Sequence, residues 1–368
     1  MAKLAIRKLA EQLLPPGVSF HETIPLENGF SALAHDFLFV AKAVLGKDTD
    51  ISIYEHTNGP QGLQANRIFG QQDFQLKDPS SRTHSVPIYL GDGTDSGYYQ
   101  AGQVMINTAE NIIDEPGNEL SEKLEILGSI LSFVSANEIS KRTESLKPVE
   151  EQDEYQRLNN LIQGYLVTLE QHTPETVEHT RGVADLSLEL LKHSTAYFRD
   201  NVDIQKLYNG ALLHDIGKLM VPKSILNSPD KLTLEQDKIM KRHPYNGLNL
   251  LYLTPELLAI VDKDIIINHQ ETYGGSGYPR GRKEEDIPPA AQICQICDVV
   301  KALCEPKRNY RRAKARAITP ESLIEFLDRN VDRDGYTQFF NPVLRNTMID
   351  LIYDNPLCQD ILFGWMEP

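Results

Sequence analysis

From residue 157 onward, apolar residues recur at three- and four-residue intervals in one segment after another. That spacing puts them on one face of an α-helix. RLNNLIQGYLVTLEQ, ETVEHTRGVADLSLELLKH, DIQKLYNGALLHDIGKL, TLEQDKIMKRHPYNGLNLLYL, PELLAIVDKDIIINHQ, PAAQICQICDVVKALC and TPESLIEFLDRN each read as a helix. Such stripes can be buried only against one another, so this part of the chain is expected to form an all-α bundle. The loop YGGSGYPRGRKEEDIPP interrupts it, because that density of Gly and Pro does not continue a helix.

Within these segments stand groups that are costly to bury. The run GALLHDIGKLMVP, Gly210 to Pro222, holds His214 and Asp215 side by side, with Lys218 three residues on. Buried ionisable groups must be paired, shifted in protonation or bound to something. Glu175 and His179 are four apart and share a helix face. His243 and His269 end helical segments, and Asp298 follows an apolar stripe. Each of these alone also reads as a satisfied core or surface residue. The ordered series is the signal, since inward His and carboxylates from several helices are how bundles build two-metal sites. Imidazole with carboxylate suits Fe, Mn or Zn better than Ca or Mg.

HDIGK followed by HQETYGGSGYP resembles the HD-GYP family of the HD phosphohydrolase superfamily, with RHPYNG, IPPAAQICQICDVVKAL, RNYR and FFNPVL as supporting pieces in order. The resemblance covers roughly 165 to 350. It implies a metal-dependent phosphodiesterase that hydrolyses cyclic di-GMP to a linear dinucleotide or GMP. Carried over by motif, the metal ligands are Glu175, His179, His214, Asp215, His243, His269 and Asp298. Asp215 and Lys218 are the catalytic candidates, with Lys218 on a substrate phosphate and Tyr278 beside the nucleotide. Arg308 and Arg311, in the basic run KRNYRRAKAR, are candidates for phosphate or guanine contacts.

The chain departs from the pattern at three places. Gln270 stands where the family has a second His, which disfavours a third metal and leaves two divalent ions, Fe or Mn, as the expectation. Gly274 replaces a usual Asp. Lys301 stands where Asp is common, and could favour an anionic substrate or disturb the metals by repulsion. Two alternatives therefore stay open: a degenerate scaffold that binds metal or nucleotide with little catalysis, and hydrolysis of another cyclic dinucleotide.

The first part of the chain reads as α+β. SALAHDFLFVAKAVLG has helical spacing, DISIYEH, HSVPIYLGD and YYQAGQVMINTA read as strands, and NELSEKLEILGSILSFVSANEISKR as a long helix. Polar turns are expected between the first strand and the second. This layout resembles a GAF domain over 1–145, followed by a linker over 146–158 and the HD-type bundle over 159–368. The resemblance implies a sensor or dimerisation module that regulates the bundle, with a homodimer formed through this domain and the 119–142 helix. That helix's apolar stripe needs a partner, either a second copy or its own domain. A net charge of -15 argues against nucleic-acid polymers and membrane surfaces as partners. No stretch approaches the length of a membrane span and no signal peptide is evident, so a cytoplasmic protein is expected. The four cysteines, at 294, 297, 304 and 358, form no disulfide framework and read as buried core thiols of a reducing compartment.

Overall fold

The computed structural model describes residues 5, 8–9, 12–13, 30–45, 49–59, 62–69, 82–91, 98–108, 119–145, 153–173, 176–305, 318–331, 335 and 338–364. They fall into two compact units. The first takes residues 1–173 together with 219–226 and 249–256, and the second takes 174–218, 227–248 and 257–368.

In the first unit, helix α1 (Phe30–Leu45) precedes strands β1 (Asp50–Gly59), β2 (Gly62–Phe69), β3 (Arg82–Gly91) and β4 (Tyr98–Thr108). The strands form one antiparallel sheet in the order β2-β1-β4-β3. Ile51 and Ile53 of β1, Val104 and Ile106 of β4, and Ile88 and Leu90 of β3 recur with period two and are buried. β2 was expected to be polar turn, and it is a strand. It pairs with β1 alone, at the sheet edge, where a strand need not alternate between apolar and polar residues, so the sequence signal is weak.

Two long helices follow in this unit: α2 (Glu119–Ser145) and α3 (Glu154–His172). Residues 154–158, expected in a linker, are helical. Asp153 caps them by accepting from the Tyr155 and Gln156 amides, and Leu158 is buried. Gly164 of α3 lies against β3, where a Cβ would meet the Tyr89 carbonyl oxygen at 2.0 Å. Tyr165 stacks on Phe133 of α2 with ring centroids 3.6 Å apart, and its hydroxyl meets that of Thr254. The apolar residues of α2, from Leu124 to Ile139, are buried within this unit, so its stripe is covered by its own chain.

The second unit is helical. It contains α4 (Thr176–His193), α5 (Ala196–Asn201), α6 (Ile204–Leu212), α8 (Leu234–Met240), α10 (Lys263–Asn268), α11 (Pro289–Cys304), α12 (Pro320–Arg329), α13 (Pro342–Asp354) and α14 (Pro356–Phe363); α7 (Lys223–Leu226) belongs to the first unit, and α9 (His243–Leu253) runs from the second into the first. α4 packs against α6 and α11, and Val183, Leu186 and Leu190 of α4, Leu207 and Ala211 of α6, and Ile293, Cys297 and Val300 of α11 are buried. His179 continues the α4 stripe one turn earlier, and Asp298 lies on α11 one turn after Cys294. Both are therefore carried into the core by the helical period.

Three expected helices are broken, and each break matters. DIQKLYNGALLHDIGKL is helical only to Leu212, and 216–220 form a 3₁₀ turn. Gly217 in that turn allows a close approach: a Cβ there would lie 1.9 Å from the His243 carbonyl oxygen, so two backbone segments touch. TLEQDKIMKRHPYNGLNLLYL is α8 and α9, because Pro244 has no N–H to give the Met240 carbonyl. PELLAIVDKDIIINHQ is a 3₁₀ turn over 255–259 and then α10, which starts at the Asp262 cap.

Among the described residues no helix is long and apolar enough to cross a membrane. The four cysteines are free and buried.

Candidate metal centre

The breaks leave histidines just beyond helix C-termini, where carbonyls of the last turn are open to side-chain donors. His214 follows α6, and its Nδ1 lies 2.7 Å from the Ala211 carbonyl oxygen. His243 follows α8, and its Nδ1 lies 2.9 Å from the Met240 oxygen that Pro244 cannot serve. His269 follows α10, with Nδ1 at 3.2 and 3.1 Å from the Ile265 and Ile266 oxygens. A carbonyl only accepts, so each Nδ1 carries the hydrogen and donates it. In the neutral ring the lone pair is then on Nε2, pointing away from the helix end.

These Nε2 atoms converge. His243 Nε2 and His269 Nε2 lie 3.1 Å apart, and Asp215 Oδ1 is 3.5 Å from the first and 3.8 Å from the second. His214 Nε2 is 3.3 Å from Asp215 Oδ2 and 3.9 Å from Asp298 Oδ1. His179 joins from α4, with Nε2 3.0 Å from Asp298 Oδ1 and Nδ1 3.1 Å from Glu305 Oε1. Gln270 Nε2 donates to Asp298 Oδ2 at 3.3 Å. All of these histidines and both aspartates are buried.

Burial pulls His243 down to about 4 against the attraction of Asp215. It pulls His269 down to about 3, helped by repulsion from His214 and His243. Both rings are thus neutral near pH 7, and two lone pairs face each other at 3.1 Å. Burial also opposes charge on His214, but Asp215 and Asp298 outweigh it and raise its pKa. Burial alone would raise both carboxyls. Lys218 and His214 hold Asp215 well below the carboxylate range, and the hydrogen bond with His179 lowers Asp298.

Such an arrangement fits cations. His214 Nε2 and Asp215 Oδ1 are buried without a hydrogen-bond partner, a costly state that a bound ion relieves. Two groups of donor atoms lie close enough to share an ion: His179, His214 and Asp298, and His214, Asp215 and His269. His243 Nε2 stands beside the second group.

The structure therefore brings together six of the seven candidate ligands; Glu175 lies outside the described residues. Lys218, expected on a phosphate, has its Nζ on Asp215 Oδ2. Tyr278 sets its ring edge-on to His243 at 6.1 Å, with Lys241 Nζ over its face at 5.7 Å. Arg308 and Arg311 lie outside the described residues. The ammonium of Lys301 is engaged by the Ile361 carbonyl at 3.0 Å and lies 3.8 Å from Glu305.

Two acids escaped the sequence reading. Glu305 caps α11 and reaches His179, a contact across 126 positions that no local pattern announces. Glu271 is buried and accepts from the Arg280 and Arg282 amides at 2.8 and 3.0 Å, folding the glycine-rich loop back on itself. The adjacent Gly277 permits that fold, since a Cβ there would meet the Thr272 nitrogen at 2.4 Å. Glu271 stands within the HQETYGGSGYP motif, whose local pattern gives no sign of a loop anchor.

Residues 167–333 match the family model described as HD domain. The chain is 30% identical over 217 residues to the cyclic di-GMP phosphodiesterase response regulator RpfG of Xanthomonas campestris pv. campestris, covering 54% of this chain and 57% of that protein. It is 36% identical over 151 residues to the 3'3'-cGAMP-specific phosphodiesterase 2 of Vibrio cholerae, covering 41% of this chain and 28% of that protein. The chain thus spans less than two thirds of the length of either relative. Bd1817, a HDG"Y"P protein from Bdellovibrio bacteriovorus, aligns over 82% of this chain and 94% of its own, at 14% identity and a TM-score of 0.35, a likeness too slight to carry an argument.

Proposed function

We propose that the chain is a metal-dependent phosphodiesterase that hydrolyses a cyclic dinucleotide, with cyclic di-GMP as the first candidate. The observation that carries this reading is the set of inward Nε2 atoms meeting Asp215 and Asp298, with His214 Nε2 and Asp215 Oδ1 left without partners. The naming of two matched relatives as phosphodiesterases of cyclic di-GMP and 3'3'-cGAMP supports the substrate class. His179, His214, Asp215, His243, His269 and Asp298 would hold two divalent ions, Fe or Mn, with Glu175 as a further ligand. When bound, such ions supply charge that neutralises the phosphodiester and acidifies water.

The chain's own groups have distinct tasks. Asp215 faces His243 and His269 through Oδ1 and His214 through Oδ2, so one carboxylate can serve two ions. Lys218, one side-chain swing from Asp215, is the cation that would meet a phosphate oxygen. Tyr278 offers a ring beside the cluster for a base or sugar, and Arg308 and Arg311 are the proposed guanidinium contacts. Gln270 occupies the neighbourhood of Asp298 with an amide that donates, which supports two ions rather than three. The same amide favours a second reading, a metal- or nucleotide-binding scaffold with little turnover.

The first unit is read as a GAF-like module regulating the second, on the support of its element order. A homodimer through it would use surfaces other than the apolar stripe of α2, which its own unit covers. Cytoplasmic placement is proposed because all four buried cysteines are free.

The test is incubation of anaerobically purified protein, loaded with Fe(II) or Mn(II), with cyclic di-GMP and separately with 3'3'-cGAMP. Linear dinucleotide or mononucleotide is the expected product. Metal bound with no product from either substrate would move the assignment to the scaffold.

A further inference from the structure

His214, His243 and His269 are oriented by main-chain carbonyls at helix C-termini, but His179 has no such acceptor. It lies in the first turn of α4, and the free groups at a helix N-terminus are N–H donors. Its Nδ1 must find an acceptor from elsewhere, and the atom it meets is Glu305 Oε1, at 3.1 Å from the C-cap of α11. The ring thus stands between two carboxylates, with Nε2 3.0 Å from Asp298 Oδ1, and either nitrogen can donate. An ion held by Asp298 would take the Nε2 lone pair, and the hydrogen would then be on Nδ1, donated to Glu305.

Glu305 is itself held. Lys301, one turn earlier on α11, brings Nζ to 3.8 Å from the same oxygen, while donating to the Ile361 carbonyl at 3.0 Å. Its stem lies over Gly182: a Cβ there would be 2.4 Å from Lys301 Cε. Gly182 is three residues beyond His179, so the bare backbone one turn on from the histidine makes room for the lysine that steadies its acceptor.

We propose that Glu305 is the positioning residue for His179, selecting the tautomer and ring orientation that present Nε2 to the ion, and that Lys301 holds Glu305 in place. The inference rests on the metal-centre reading above. Partners of this kind are worth about 10–100-fold in metal affinity.

The experiment is a titration of metal-free, full-length protein with Mn(II), followed by the electron paramagnetic resonance of free Mn(II), with the apo melting temperature as a folding control. Glu305→Ala is expected to weaken Mn(II) binding by about 10–100-fold. Glu305→Gln, which keeps an acceptor oxygen and nearly the same shape, should recover part of that loss. Lys301→Met should cost less than Glu305→Ala. Adding Glu305→Ala to His179→Ala should cost little beyond His179→Ala alone, because the two act as one unit. Wild-type affinity in Glu305→Ala, or full additivity with His179→Ala, would overturn the assignment and leave Glu305 as a structural partner of Lys301. No Mn(II) binding by wild-type protein would overturn the metal reading itself, and this inference with it.

Discussion

Asp215 is the residue on which the cluster turns: its two oxygens face different histidines, and its charge is kept by Lys218 and His214. The donors were legible in the sequence because they sit in recognisable short motifs. Glu305 was not, because it is ordinary in its local context and acquires a role only through a tertiary contact. Lys301, which the sequence left as a source of repulsion or substrate attraction, is instead taken up by a carbonyl and a carboxylate. Gln270→His would replace a donating amide near Asp298 by an imidazole lone pair. It is expected to raise the metal content per chain or the hydrolysis rate, both measured on anaerobically loaded protein; no change in either would remove Gln270 from the metal neighbourhood. Acid sensitivity also belongs to this scale. An unfolded histidine takes its proton near 6.5, whereas folded His243 does so at about 4 and His269 at about 3. Between 6.5 and those values the unfolded chain binds protons that the folded one refuses, so stability falls as pH falls. His214 has a raised pKa, and its contribution changes only above 6.5, where it is lost as pH rises. Metal-free protein should therefore melt at progressively lower temperature from pH 6.5 towards 4.5. A flat profile over that window would contradict neutral, buried His243 and His269.

At the scale of elements, the helices were legible and their ends were not. Apolar spacing reports which face of a helix is buried, and is silent about where the hydrogen-bond ladder stops. In this chain the stops build the site. The end of α6 frees the Ala211 carbonyl for His214, and Pro244 frees that of Met240 for His243. β2 was missed for the opposite reason, since an edge strand needs no alternation to be satisfied. Gly217 is the joint between the 3₁₀ turn and the start of α9. A methyl there would strike the His243 carbonyl oxygen at 1.9 Å, backbone that has no rotamer to escape into. Gly217→Ala is expected to destabilise the protein by about 1–3 kcal/mol and to loosen metal binding as His243 shifts. Denaturant unfolding and Mn(II) titration measure the two effects, and wild-type values in both would show that the contact is not tight.

For the whole molecule, the change from mixed α/β to helical patterning is read as two domains, and the structure has two compact units. The expected division, 1–145, a linker over 146–158 and then 159–368, stands as a proposal beside the bounds of these units. The first unit reaches through α3 to residue 173, where Gly164 and Tyr165 pack on the sheet and α2, and it also takes in 219–226 and 249–256. Deleting 1–150 would strip α3 of that packing, so the truncated chain should melt well below the full-length protein, a comparison that calorimetry makes directly. The central claim is that the buried imidazoles and carboxylates of the second unit are a metal centre, and metal content tests it most directly. Elemental analysis of anaerobically purified, Mn(II)-loaded protein should give two ions per chain, falling below one in His214→Ala/Asp215→Ala, with the fold of that variant checked by circular dichroism. A folded wild-type protein with no bound metal, or a folded variant that keeps the full complement, would contradict the account.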